Sequence, residues 1–123
     1  MKKLKAQLTP SGSAGSASGT AAFGQLADGK LHAVYLDYGS VAATTDVTIK
    51  LEDPAVAILT VSNNATDGWY FPRYRITSNT AARYAVEADD AGQALPVVGQ
   101  LNLVVAQSTQ VTNGVTAYVY VED

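Results

Sequence analysis

Residues 95–122, LPVVGQLNLVVAQSTQVTNGVTAYVYVE, decide the fold class. Two segments within them, 100–107 and 114–122, alternate apolar and polar side chains. Alternation of that length is the mark of half-buried β-strands. In the second segment Val115, Ala117, Val119 and Val121 fall on one side, with Thr116, Tyr118, Tyr120 and Glu122 on the other. The valine side suits a core. The opposite side carries two tyrosines that solvent alone does not require, so it is expected to pack on a second sheet, a neighbouring subunit or a partner. Between the segments a polar stretch ends in Thr112, Asn113 and Gly114, which predicts a hairpin joining the two strands.

The same patterning extends towards the N-terminus. Residues 3–8 place Leu4, Ala6 and Leu8 on one side and Lys3 and Lys5 on the other, as in a short edge strand whose lysines oppose unwanted pairing. Residues 9–20, TPSGSAGSASGT, have flexible-linker composition and are expected to form either a mobile loop or an arm that orders on contact. A weak strand at 23–26 leads to Asp28-Gly29, a strong turn pair. Residues 30–38, KLHAVYLDY, are apolar on both faces, with Leu31, Ala33 and Tyr35 on one and Val34, Leu36 and Tyr38 on the other, so this strand is expected to be central. Residues 45–51 alternate with Val47, Ile49 and Leu51 inward. The continuous apolar run 55–61, AVAILTV, reads as a buried strand. Residues 81–88 fit a turn of helix or a strand through Tyr84 and Val86, and the strand is preferred. About eight to ten short strands at spacings of about 8–12 residues indicate an all-β chain. The expected architecture is a single antiparallel β-sandwich or jelly-roll-like domain over 1–123, with the Gly/Ser/Ala segment as its loop or arm.

With 123 residues the chain fits one domain, which buries about two thirds of its unfolded surface. It has no Cys, so neither disulfides nor thiolate metal sites contribute. A net charge of −3, with Lys2, Lys3 and Lys5 as the one basic cluster, argues against a nucleic-acid surface. No apolar run reaches the ~18 residues of a helical membrane span. The start MKKLKAQL is charged like a signal peptide, but no apolar stretch follows it, so synthesis and retention in the cytoplasm are expected.

An enzyme is not expected. The single His32 lies within a strand, beside neither a nucleophilic Ser elbow nor an evident carboxylate. Residues 24–31, GQLADGKL, come close to a phosphate-binding loop. Leu31 lacks the magnesium-binding hydroxyl, however, Asp28 would repel phosphate, and a strand follows where the motif requires a helix. The acidic pairs Glu52/Asp53, Asp89/Asp90 and Glu122/Asp123 lack calcium-loop spacing, so no metal or cofactor is expected. Asn64-Ala65-Thr66 matches a glycosylation acceptor only by chance if the chain is not secreted.

The most suggestive patch is residues 69–75, WYFPRYR. Trp69, Tyr70 and Phe71 with Arg73 and Arg75 have the composition of interface hot spots. A sugar platform would use the same rings, and the simplest alternative is that Trp69 and Phe71 close one end of the core. Pro72 cannot donate to a ladder, which makes this an edge strand or an irregular crossing. Arg73 and Arg75, two apart in an extended segment, are expected to face one side and grip a partner's carboxylates.

GKLHAVYLDY at 29–38, TDVTI at 45–49, AILTV at 57–61, WYFPR at 69–73 and LPVVGQLNLVVAQ at 95–107 follow one another in a familiar order. From residue 28 to the C-terminus the chain resembles the small β-sandwich decoration, or cement, proteins of tailed-bacteriophage heads. That resemblance implies a virion structural protein on the capsid exterior, bound to the major capsid protein lattice and oligomeric, with a trimer as one form. The expected partner-binding residues are Trp69, Tyr70, Arg73, Arg75, Tyr118, Tyr120, Lys3 and Lys5. A tail, baseplate or fibre component and a carbohydrate-binding module are the alternatives.

Overall fold

The computed structural model describes residues 1–53, 55–74 and 93–122. Eleven strands run through them: Lys2–Leu8 (β1), Ala17–Ala22 (β2), Ala27–Tyr38 (β3), Asp46–Leu51 (β4), Ala57–Val61 (β5), Gly68–Tyr70 (β6), Arg73–Tyr74 (β7), Gln93–Ala94 (β8), Pro96–Gly99 (β9), Leu101–Ser108 (β10) and Val115–Glu122 (β11). One antiparallel sheet has the order β1-β11-β3-β6, with β9 also pairing β3. The other has the order β2-β10-β4-β5, and the two-residue β7 and β8 pair separately. Leu4, Val34, Leu36 and Val119 of the first sheet meet Val47, Ile49, Leu103 and Val105 of the second in one core. The chain is therefore the expected all-β sandwich. Each of those side chains contributes about 1.5–3 kcal/mol by leaving water.

The two C-terminal strands do not form a hairpin. β10 lies between β2 and β4, whereas β11 lies between β1 and β3 in the opposite sheet. The expected turn does form: the Gly114 N–H donates to the Val111 carbonyl at 2.9 Å, and Asn113 adopts a left-handed φ of 52°. It carries the chain across the sandwich instead of back along it. Alternation shows that each strand has a core face, and two core faces can lie side by side in one sheet or oppose each other across about 10 Å. Here they oppose. A buried polar corner holds the crossing, where the Thr45 hydroxyl donates to the Ala42 carbonyl at 2.6 Å and lies 2.9 Å from the Ser108 hydroxyl.

Linker composition also concealed a strand. Residues 9–20 turn back through a Ser11–Ser18 bridge and enter the second sheet as β2 along β10. Small residues are needed there because β2 runs close to β1. Ala17 is fully buried, and a Cβ on Gly19 would stand 3.1 Å from Leu8 Cδ1. The Asp28-Gly29 pair is not a turn but part of β3. Gly29 has a φ of 144°, and a Cβ there would run into the Glu122 carbonyl.

The apolar run at 55–61 gives β5, an edge strand paired only to β4, in which Ile58 alone is buried. Pairing with β4 slips by one residue between Ile49 and Lys50, and Ile58 is the extra residue turned into the core. The strand expected at 81–88 lies outside the described residues.

Two predictions concern this framework. A Cβ on Gly114 would lie 2.8 Å from Val41 Cγ1 and 2.9 Å from the Val111 carbonyl oxygen. Gly114→Ala should lower unfolding free energy in urea by about 1–3 kcal/mol, the usual cost of overpacking. An unchanged midpoint would mean that the crossing turn is not tightly fitted. The second concerns Tyr38, whose buried hydroxyl makes no hydrogen bond among the described residues. Burial pushes this group from 10.0 up to about 12, with Tyr70, Asp67 and Asp46 adding to the rise and Asn64 opposing it. Below pH 10 both folded and unfolded chains keep this proton, so stability is unaffected; above it the unfolded chain ionises first and stability falls until the folded group also ionises. Tyr38→Phe should lose about 2 kcal/mol less than the parent between pH 10 and 12 by denaturant titration.

Candidate functional site

β11 places Thr116, Tyr118 and Tyr120 on the outer face of the first sheet because its alternate valines are held in the core. Register then sets their neighbours. On β1, Gln7, Lys5 and Lys3 stand opposite Thr116, Tyr118 and Tyr120. On β3 the matching residues are Asp37, Tyr35 and Ala33, and Trp69 of β6 stands opposite Tyr35. A single cross-strand row therefore reads Lys5, Tyr118, Tyr35, Trp69.

The side chains along this row touch. Ring centroids are 4.9 Å apart for Tyr35 and Trp69, 6.4 Å for Tyr35 and Tyr118, and 5.5 Å for Trp69 and Tyr120. These separations lie within the range of favourable aromatic contacts, and all three pairs are tilted, by 54°, 40° and 38°. The Lys3 and Lys5 ammonium groups lie 5.6 and 5.8 Å from the Tyr118 ring centre, in cation–π range. Trp69 remains 53% exposed and Phe71 57%, so neither ring closes an end of the core. Tyr35, Tyr118 and Tyr120 are half-buried, with Tyr35 against Tyr118 and Trp69, and Tyr120 against Trp69.

The 69–75 block divides. Alternation in β6 turns Trp69 outward and Tyr70 inward, where Tyr70 packs against the core and its hydroxyl accepts a bond from the Asn64 amide at 3.2 Å. Arg73 is engaged within the chain: Nη1 and Nη2 donate to the His32 carbonyl at 3.3 and 3.2 Å, and Nη1 also donates to the Pro72 carbonyl at 2.8 Å. Arg75 lies outside the described residues. Of the residues expected to bind a partner, the structure thus brings together Trp69, Tyr118, Tyr120, Lys3 and Lys5, and draws Tyr70 and Arg73 into the fold.

Arg73 has that role because of a β-bulge. Tyr120 pairs with Ala33 and Val121 with Leu31, leaving His32 unmatched, as an inserted residue does. The bulge also reverses the phase of β3. Leu31, which strict alternation groups with Tyr35, joins the core instead. Beside the bulge His32 Nδ1 lies 3.4 Å from Glu122 Oε1, a carboxylate neighbour remote in sequence. Tyr35 is the member of the face that was not among the expected partner-binding residues. Its signal was an aromatic on the polar-facing phase of a central strand.

Among the described residues His32–Glu122 is the only approach of a nitrogen base to a carboxylate within 4.0 Å, so Lys3 and Lys5 meet no carboxylate there. Nor does any group of three or more His, Asp or Glu side chains among them converge as metal ligands. No concave pocket interrupts the described surface, and what the face offers is a broad contact area. Comparison of the chain with protein-family models, curated proteins and solved structures finds no match.

The Arg73 clamp can be tested by stability. Arg73→Ala should cost about 1–2 kcal/mol in denaturant titration, because the bulge carbonyl loses a charged donor, and Arg73→Lys should recover only part of it. Full stability in Arg73→Ala would mark the guanidinium as dispensable to the fold.

Proposed function

We propose that this chain is a virion structural protein, a capsid decoration or cement protein that binds the outer surface of an icosahedral phage head and stabilises the shell. The observation that carries this reading is the aromatic and lysine row across an outer sheet face, supported by the order of sequence segments resembling the cement proteins. Large rigid rings lose little entropy on docking and are the residues that dominate protein contacts. The sandwich behind them is a stiff base.

A cement protein works by mass action. Binding that is available only in the expanded shell shifts the balance towards that state. Many copies on a symmetric lattice, or several joined in an oligomer, strengthen a modest contact through avidity. In this reading the partner is the major capsid protein lattice, and the protein is made in the host cytoplasm and ends on the capsid exterior. The part of Trp69 left open also suits a sugar ring, so a carbohydrate-binding module is the alternative reading of this face.

Purified protein mixed with expanded shells should co-sediment at stoichiometric occupancy, and Trp69→Ala with Tyr118→Ala should reduce retention at least tenfold while thermal unfolding stays cooperative. Recovery only with tails or fibres would overturn the head assignment. Glycan-array binding abolished by Trp69→Ala would favour the carbohydrate module.

A further inference from the structure

The outer face also indicates the chemistry of its partner. Lys3 and Lys5 come from neighbouring outward positions of β1, and both ammonium groups converge on the Tyr118 ring, at 5.6 and 5.8 Å. Two like charges gathered at one ring repel each other, and among the described residues no carboxylate sits beside them to relieve this. The ring also restrains two otherwise flexible side chains before any partner arrives, which lowers the entropy lost on binding. Beside them Tyr35, Tyr120 and Trp69 provide apolar ring surface.

We infer that Lys3, Lys5 and Tyr118 form a docking point for a carboxylate side chain of a partner protein, with an aliphatic neighbour of that carboxylate resting on Tyr35, Tyr120 and Trp69. This rests on the proposed shell-docking role of the same face and names the surface it takes: an acidic protein segment with apolar flanks. Charge complementarity gives the contact a direction. The chain as a whole carries −3, so an acidic surface is repelled by the body and attracted at the β1 margin. Opposite charge steers the domain to land on this face. A single-stranded nucleic acid would also use lysines and stacked rings, but two lysines neutralise too few phosphates to hold one against physiological salt.

The test is a titration of the full chain, followed by NMR at low salt, with a Glu-Leu-Glu-Leu-Glu peptide and with oligo-dT of equal charge. The peptide should shift the Lys3 and Lys5 side-chain signals and the Tyr118 ring signals saturably, leaving Lys30 and Lys50 unmoved. The double variant Lys3→Gln, Lys5→Gln should bind it about tenfold more weakly, with unchanged thermal unfolding. Shifts spread evenly over all lysines, an unaffected double variant, or tighter binding of oligo-dT would overturn the inference. Shell co-sedimentation separates the two proposals. Shell binding that ignores both salt and the lysine substitutions keeps the cement reading and removes this one, whereas saturable peptide binding without shell binding does the reverse.

Discussion

The fold depends on the opposition of β10 and β11 across the core. Leu101, Leu103 and Val105 project from one sheet and Val115, Ala117, Val119 and Val121 from the other, all at most 1% exposed. Each strand is central in its sheet, flanked on both sides by partners. The crossing turn at Val111–Gly114 therefore sets the relation of the two layers. The outer face follows from the same constraint: with the valines of β11 committed inward, Tyr118 and Tyr120 have to face out, and register with β1 and β3 brings Lys3, Lys5 and Tyr35 beside them.

The bulge at His32 is the second determinant. An extra residue in β3 lets Leu31 enter the core while Ala33 and Tyr35 stay in phase with Tyr120 and Tyr118. Bulges bend and twist a strand and leave a residue unpaired. Arg73 satisfies the freed carbonyl, and Gly29 admits the end of β11 close to β3. Arg73, one of the expected partner-binding residues, thus has a role within the fold.

Much of this was legible in the sequence, and the rest failed for physical reasons. Strict alternation in β1, β4 and β11 identified their core faces, because period 2 maps directly onto the two sides of a sheet. Which strand pairs with which is a long-range matter that local pattern does not carry, so the crossing between β10 and β11 looked like a hairpin. The serine and glycine of β2 looked like a linker because composition reports flexibility in isolation, and close approach to Leu8 demands the same small residues. Trp69, Tyr118, Tyr120, Lys3 and Lys5 were identified as surface candidates by type. Their assembly into one row with Tyr35 required the register, and the loss of Tyr70 and Arg73 from it required the direction of β6 and the bulge.

In the proposed role, the outer face of the β1-β11-β3-β6 sheet is the surface through which this domain would meet a phage shell. A cryo-EM reconstruction of the native particle carrying this chain tests it most directly. Density for the sandwich is expected on the outside of the head, with Trp69, Tyr118 and Tyr120 against the capsid lattice. The same domain found in the tail, or on the head with that face open to solvent, would contradict it.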